Sequence, residues 1–121
     1  MNRFESKEDY LETILRLSEN NKLVRAIDIA TFMNYTKPSV SIALKKLKEL
    51  DYINVDEHTG NVKLTETGKQ IAIQVYERHQ ILTSFFISIG VSEETAKEDA
   101  CKIEHDISKE TLLRIKEFIQ R

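Results

Sequence analysis

Apolar residues recur three and four positions apart at the start of the chain, at Tyr10, Leu11, Ile14, Leu15 and Leu17. That spacing predicts an amphipathic helix over 6–19, with Ser6 placed to cap it and Glu8 and Asp9 in its first turn. The NNK stretch breaks it, and VRAIDIATFM then reads as a short second helix, apolar at Ala26, Ile27, Ile29, Ala30 and Met33. After the turn NYTKP, Thr36 can cap a third helix over about 37–51, with Pro38 in its first turn. Its inward residues are Val40, Ala43, Leu44, Leu47 and Leu50. The period then drops to two. YINVDEH and NVKLT alternate on either side of Thr59-Gly60, which predicts a two-strand ribbon with a short tip.

Thr65 opens a long helix from Glu66 to about Ile89. Its second half, ILTSFFISI, is apolar on nearly every side and belongs in a core or an oligomer interface. Gly90 ends it, Ser92 opens a fifth helix with Glu93 and Glu94 in its first turn, and Ser108 opens a sixth, KETLLRIKEFIQ. Two short helices joined by a tight turn and followed by a ribbon make a winged helix-turn-helix. The predicted fold is therefore mainly α. An N-terminal winged helix-turn-helix DNA-binding domain is expected over 1–70, and a helical dimerisation domain over 71–121.

In such a module the second helix enters the major groove and its N-terminal residues reach the bases. Here these are Thr36, Lys37, Pro38, Ser39, Ser41 and Ile42. The wing tip, His58 to Asn61, and Lys63 can lie along phosphates, with His58 itself read as a plain surface residue. Charge changes this picture only locally. The net charge is −2, and the first 65 residues balance ten Lys/Arg against ten Asp/Glu. Within them, KPSVSIALKKLKEL sets Lys37, Lys45, Lys46 and Lys48 against Glu49 alone, and Lys46 joins the candidate DNA contacts. A helical hairpin that only packs is the alternative; spacing, exposed face and ribbon together favour DNA. One module binds weakly, so a homodimer reading two half-sites of double-stranded operator DNA is expected.

The segment DACKIEH holds the chain's one cysteine. Taken as a helix at about 100° per residue, it gathers Cys101, Glu104 and His105 on one face, apart from Ala100, Ile103 and Ile107. Thiolate, carboxylate and imidazole together suit a divalent transition metal. Alone, the pattern is weak and more often means a buried cysteine beside a histidine without a role. Asp9 and Glu12, at i and i+3 on the first helix, and His79, just before the apolar half of the long helix, add donors that the fold can bring together.

With these pieces the whole chain resembles the metal-dependent repressors of the diphtheria toxin repressor and manganese transport regulator family. EDYLETI, KPSVSIALKKLKELDYI, LTETGKQIA, ERHQIL and DACKIEHDIS carry the resemblance. It implies that Asp9, Glu12, His79, Cys101, Glu104 and His105 are the metal-site positions. It also implies a hybrid: the acid at Asp9 is the manganese-type residue, and the cysteine at Cys101 the iron-type one. The iron-type ancillary site has an acid and a histidine where this chain has Thr83 and Lys97, so only His79 of that trio is kept. A second ion held by Glu12 and His79 stays open. The resemblance stops with the sixth helix, so a short form without the SH3-like domain of larger members is expected.

The functional expectation is a metal-activated repressor controlling metal-homeostasis genes. Thiolate ligation ranks Fe²⁺ first and Mn²⁺ second, with one or two ions per subunit. The alternatives are a Mn²⁺-responsive repressor of manganese uptake, a metal-independent regulator with Cys101 as a redox switch, or a helical adaptor. No nucleophile–base pair or phosphate loop is present, so neither an enzyme nor a small-molecule substrate is expected. At 40% hydrophobic and 31% charged, the composition is that of an ordinary globular protein. One cysteine excludes an internal disulfide, NRFESKEDY lacks a signal-peptide core, and SFFISIGV is too short to span a bilayer. A cytoplasmic location without a membrane partner follows as the expectation.

Overall fold

The computed structural model describes residues 7–21 and 23–121, so the expected cap at Ser6 lies outside the described residues. Three helices, α1 (Lys7–Asn20), α2 (Ala26–Met33) and α3 (Lys37–Glu49), precede the ribbon of β1 (Ile53–Val55) and β2 (Val62–Leu64). After it come α4 (Glu66–Ser88), α5 (Glu93–Ile103) and α6 (Lys109–Ile119). The chain forms two compact units, one reaching Ile73 and the other starting at Gln74. Among the described residues, no helix is long and apolar enough to cross a membrane.

In the first unit, the apolar stripes predicted for each helix meet in one core. α1 contributes Tyr10, Leu11 and Ile14, α2 Ile29 and Ala30, and α3 Val40, Leu44 and Leu47. Ile53 and Val62 close it from the ribbon, and Ala72 from α4. Burying each large aliphatic side chain stabilises by about 1.5–3 kcal/mol, so this cluster is what holds the helices in place. In the second unit Val75, Leu82, Ala96 and Ala100 are buried, and Phe85 meets Phe118 edge-on at 6.3 Å.

Helix ends decide where α2 and α3 point. α2 stops because Asn34 turns left-handed at φ 59°, while Asn34 N donates to Thr31 O at 3.3 Å and Tyr35 N to Ala30 O at 3.0 Å. α3 stops the same way, two residues before the expected end. Asp51 sits at φ 63°, Asp51 N donates to Lys48 O and Tyr52 N to Leu47 O, both at 3.0 Å. Both are Schellman stops, in which the left-handed residue lets its own amide and the next one reach back to the last carbonyls. Asn and Asp tolerate that conformation better than other residues with a Cβ.

The ribbon is antiparallel, with Ile53 opposite Leu64, Asn54 opposite Lys63 and Val55 opposite Val62. Asp56 closes its tip: Oδ1 accepts from His58 N at 2.8 Å and Thr59 N at 3.2 Å, and the carbonyl accepts from Gly60 N at 2.8 Å. Asn61, expected with the tip along phosphates, is instead buried. Its Oδ1 accepts from Val24 N at 2.8 Å, next to Val62 N donating to Val24 O at 2.7 Å. The reason is backbone satisfaction: the segment before α2 lies along the ribbon's edge and needs an acceptor there.

α4 begins against the ribbon's base. Thr65 Oγ1 donates to Asp51 O at 2.8 Å and accepts from Gly68 N at 3.1 Å. A Cβ at Gly68 would stand 2.0 Å from the Tyr52 carbonyl oxygen. Alanine there gains up to about 1 kcal/mol of helix propensity but must push two backbones apart, which typically costs about 1–3 kcal/mol or more. Gly68→Ala is therefore expected to lower the urea midpoint of unfolding; an unchanged or raised midpoint would contradict the close approach.

Candidate metal centre and nucleic-acid interface

The first unit presents the exposed start of α3. Thr36 caps it: Oγ1 accepts from Ser39 N at 3.3 Å and donates to Ser39 Oγ at 3.0 Å. Both hydroxyls are thus engaged in shaping the first turn. Lys37, Pro38 and Ser41 stand free in solvent, and Ser39 is half-buried. Ile42 is 60% exposed, an apolar side chain left facing water between Ser41 and the basic run Lys45-Lys46. Lys46 and Lys48 in the last turn complement the negative end of the helix. Lys46 and Lys63 are both exposed, and Lys63 lies on the outer face of β2.

The same unit buries two carboxylates on one face of α1, Asp9 at 5% exposure and Glu12 at 6%. Arg16 Nη1 approaches Glu12 Oε2 at 3.9 Å, one helical turn on. A buried carboxylate costs several kcal/mol unless charges or donors compensate it, so this is an expensive place for a pair of acids.

In the second unit His79, Glu104 and His105 come together. Glu104 is fully buried. His79 Nδ1 lies 3.0 Å from Glu104 Oε2, and His105 Nε2 lies 3.4 Å from Glu104 Oε1. Among the described residues Oε1 has no hydrogen-bond partner. Cys101 is half-buried in the last turn of α5. The helix ends sooner than a continuous DACKIEH helix requires. Ile103 is its last residue, Glu104 caps it, and Asp106 N donates back to Ile103 O at 3.0 Å. Glu104 still follows the helical path, at φ −59° and ψ −25° with its amide donating to Ala100 O at 3.0 Å, and the turn that begins there carries His105 toward the Ser108 cap of α6.

Arg78, which the spacing of apolar residues did not single out, donates from Nη1 to the main-chain carbonyl of Glu104 at 3.3 Å. Thr83 Oγ1 donates to His79 O at 2.7 Å, and Lys97 pairs with exposed Glu93 at 3.1 Å. Neither is drawn into the His79–Glu104 cluster by those contacts. The donors themselves fit a divalent transition ion: an acceptor oxygen buried without a hydrogen bond, two imidazoles beside the same carboxylate, and a thiol one turn earlier.

Comparison with known proteins places these halves. Residues 4–60 match the iron dependent repressor N-terminal DNA binding domain, and residues 65–121 match the iron dependent repressor metal binding and dimerisation domain. The chain belongs to the iron-dependent repressor family. It is a metal-dependent transcriptional regulator of the type that includes the diphtheria toxin repressor and the manganese transport regulators, which is not an enzyme class. Iron-dependent repressors share its mainly helical fold, with a DNA-binding half followed by a dimerisation half.

An uncharacterized HTH-type transcriptional regulator of Methanocaldococcus jannaschii is 37% identical over 119 residues, 97% of this chain and 94% of that protein. The transcriptional regulator MntR of Salmonella typhimurium is also 37% identical over 119 residues, 98% of this chain and 75% of that protein. Among solved structures, the manganese regulator SloR superposes with a TM-score of 0.84 at 29% identity, over 95% of this chain and 54% of that one. IdeR of T. acidophilum gives a TM-score of 0.84 at 27% identity, over 96% and 55%. The chain thus spans about half the length of these two solved relatives.

The Thr36 cap can be weighed separately from any DNA contact. Thr36→Ala is expected to cost about 1 kcal/mol of unfolding free energy, and Thr36→Asn only a small part of that. Urea titration of the two variants checks this, and equal losses would mean that the hydroxyl is not acting as a cap.

Proposed function

We propose that the chain is an Fe²⁺-activated repressor that binds operator DNA as a homodimer in the cytoplasm and controls metal-homeostasis genes. The observation that carries this reading is Glu104, a fully buried carboxylate flanked by His79 and His105 within the half of the chain matched to metal binding. Asp9 and Glu12 from the first unit, with His79, Cys101, Glu104 and His105 from the second, are the proposed ligands. Gathering Asp9, Glu12 and Glu104 around one point costs like-charge repulsion. A bound dication supplies the counter-charge, so ligation favours the DNA-competent state. A decisive shift in population requires a preference for that state of about 5.5 kcal/mol.

Ion choice rests on two of these residues. Thiolate at Cys101 favours softer ions and supports Fe²⁺; the carboxylate at Asp9 suits Mn²⁺. The Mn²⁺-responsive reading is the alternative, and the 37% identity to a protein named MntR supports it. A second ion on Glu12 and His79 would bring the number per subunit to two.

On DNA, the start of α3 supplies Thr36, Lys37, Pro38, Ser39, Ser41 and Ile42 to the major groove, where exposed Ile42 suits the methyl group of thymine. Lys46 and Lys63 suit phosphates, with Lys63 on the wing. No small-molecule substrate or membrane partner enters this scheme.

The test is binding to a duplex selected by the protein from random sequence, titrated with Fe²⁺, Mn²⁺ and a chelator. Chelation is expected to weaken binding by roughly a hundredfold or more if the population shift is of the size above. Equal affinity in chelator and in saturating metal would sink the metal-activated reading. Cys101→Ala should lose Fe²⁺ response while largely keeping the Mn²⁺ response; a wild-type iron response in that variant means that Cys101 is not a ligand. Lys63→Ala should reduce the slope of log affinity against log salt by about 1 without changing the preferred sequence.

A further inference from the structure

Two consecutive residues of α4 hold one residue at the end of α5. His79 meets the carboxylate of Glu104 at 3.0 Å, and Arg78 Nη1 donates to its main-chain carbonyl at 3.3 Å. Arginine stays protonated and offers no lone pair, so it is not itself a ligand. We propose that Arg78 is a positioning residue of the metal centre, which holds the Glu104–His105 peptide so that both side chains stand ready as donors. This rests on the metal-binding reading above.

The last carbonyls of α5 have no intrahelical partner. Asp106 N satisfies Ile103 O, and Arg78 satisfies Glu104 O. The carbonyl of Glu104 and the amide of His105 belong to one planar peptide unit. Fixing that oxygen therefore fixes the plane from which both side chains depart. Rotation of the plane would carry Glu104 Oε2 away from His79 and alter the 3.4 Å approach of Oε1 to His105 Nε2. A turn is where local opening is cheapest, so a tether there has more to hold than one inside the helix. The guanidinium is suited to it, being rigid and permanently charged at the negative end of a helix.

Charge and position predict opposite signs. If Arg78 acted chiefly through its positive charge, removing it would tighten binding of a dication. If it positions the donors, removal weakens binding, by roughly ten- to a hundredfold for a lost outer partner of a ligand.

Co²⁺ is a suitable probe, titrated under reducing conditions into the wild-type chain, Arg78→Met, Arg78→Lys and Glu104→Gln. The readouts are the Co²⁺ dissociation constant, the visible ligand-field and thiolate charge-transfer bands, and amide hydrogen exchange at His105 and Asp106 in the metal-free protein. Arg78→Met is expected to bind Co²⁺ ten- to a hundredfold more weakly, with altered bands and faster exchange at His105, while Arg78→Lys recovers part of each. Should Arg78→Met not fold, Arg78→Lys decides: it keeps the charge and loses the fork, so weakened binding supports positioning. Arg78→Met, or in that event Arg78→Lys, binding Co²⁺ as tightly as wild type or more tightly, with His105 protection unchanged, overturns it. Equal binding by wild type and Glu104→Gln overturns the metal-site reading itself, and the inference with it.

Discussion

A carboxylate buried between two imidazoles is the constraint on which the second unit turns. Glu104 has no access to water, yet its surroundings offer one close imidazole contact and one longer one. Burying a charge is repaid only by good partners, and replacing such a group with an apolar one of similar volume is often neutral or stabilising. Its presence makes sense when the repayment comes from a further positive centre. The surrounding elements are arranged to bring that about: α4 supplies His79 and Arg78, α5 stops one residue short of Glu104, and the turn after it carries His105.

The first unit solves a different problem, which is to expose polar side chains on short, rigid helices. α2 and α3 are 8 and 13 residues long, and isolated helices of that length are marginal in water. Packing of Ile29, Val40 and Leu47 stabilises them from within, and Schellman stops at Asn34 and Asp51 set where each one ends. The turn between them is therefore defined by hydrogen bonds as well as by packing. What remains outward at the start of α3 is a capped first turn with lysine, proline, serine and one exposed isoleucine.

Much of the fold was legible because its signals are local. Apolar spacing marked the helices, alternation marked the ribbon, and Thr36, Ser92 and Ser108 each cap the helix they precede. Where the reading fell short, the deciding partner was distant in sequence or hidden in the backbone. Gly68 is glycine because of a carbonyl at Tyr52, which no periodicity reveals. Asn61 looked like a tip residue until its acceptor role toward Val24 appeared. Asp51 carries no mark that separates a left-handed stop from an exposed acid. For the candidate site, residue chemistry pointed to the donor types, and the likeness to a known family picked out their positions. The point where α5 ends, at Ile103 within DACKIEH, carried no signal of its own, since a helix and a turn of the same residues differ by one hydrogen bond. Arg78 was missed because it acts on a main-chain atom, for which side-chain patterns hold no signal.

The closed base of the wing has a consequence for how such a regulator can change over time. Val24, Asn61 and Val62 knit the ribbon to the segment leading into α2, and Asp56 seals the strands just below the tip. Everything between Asp56 and Asn61 hangs outside that seam. Insertions, deletions or new charges there leave the core's hydrogen bonds intact, whereas a change at Asn61 leaves the Val24 amide without its acceptor. The wing is thus divided into a fixed hem and an interchangeable fringe, and the fringe can change without refolding the domain.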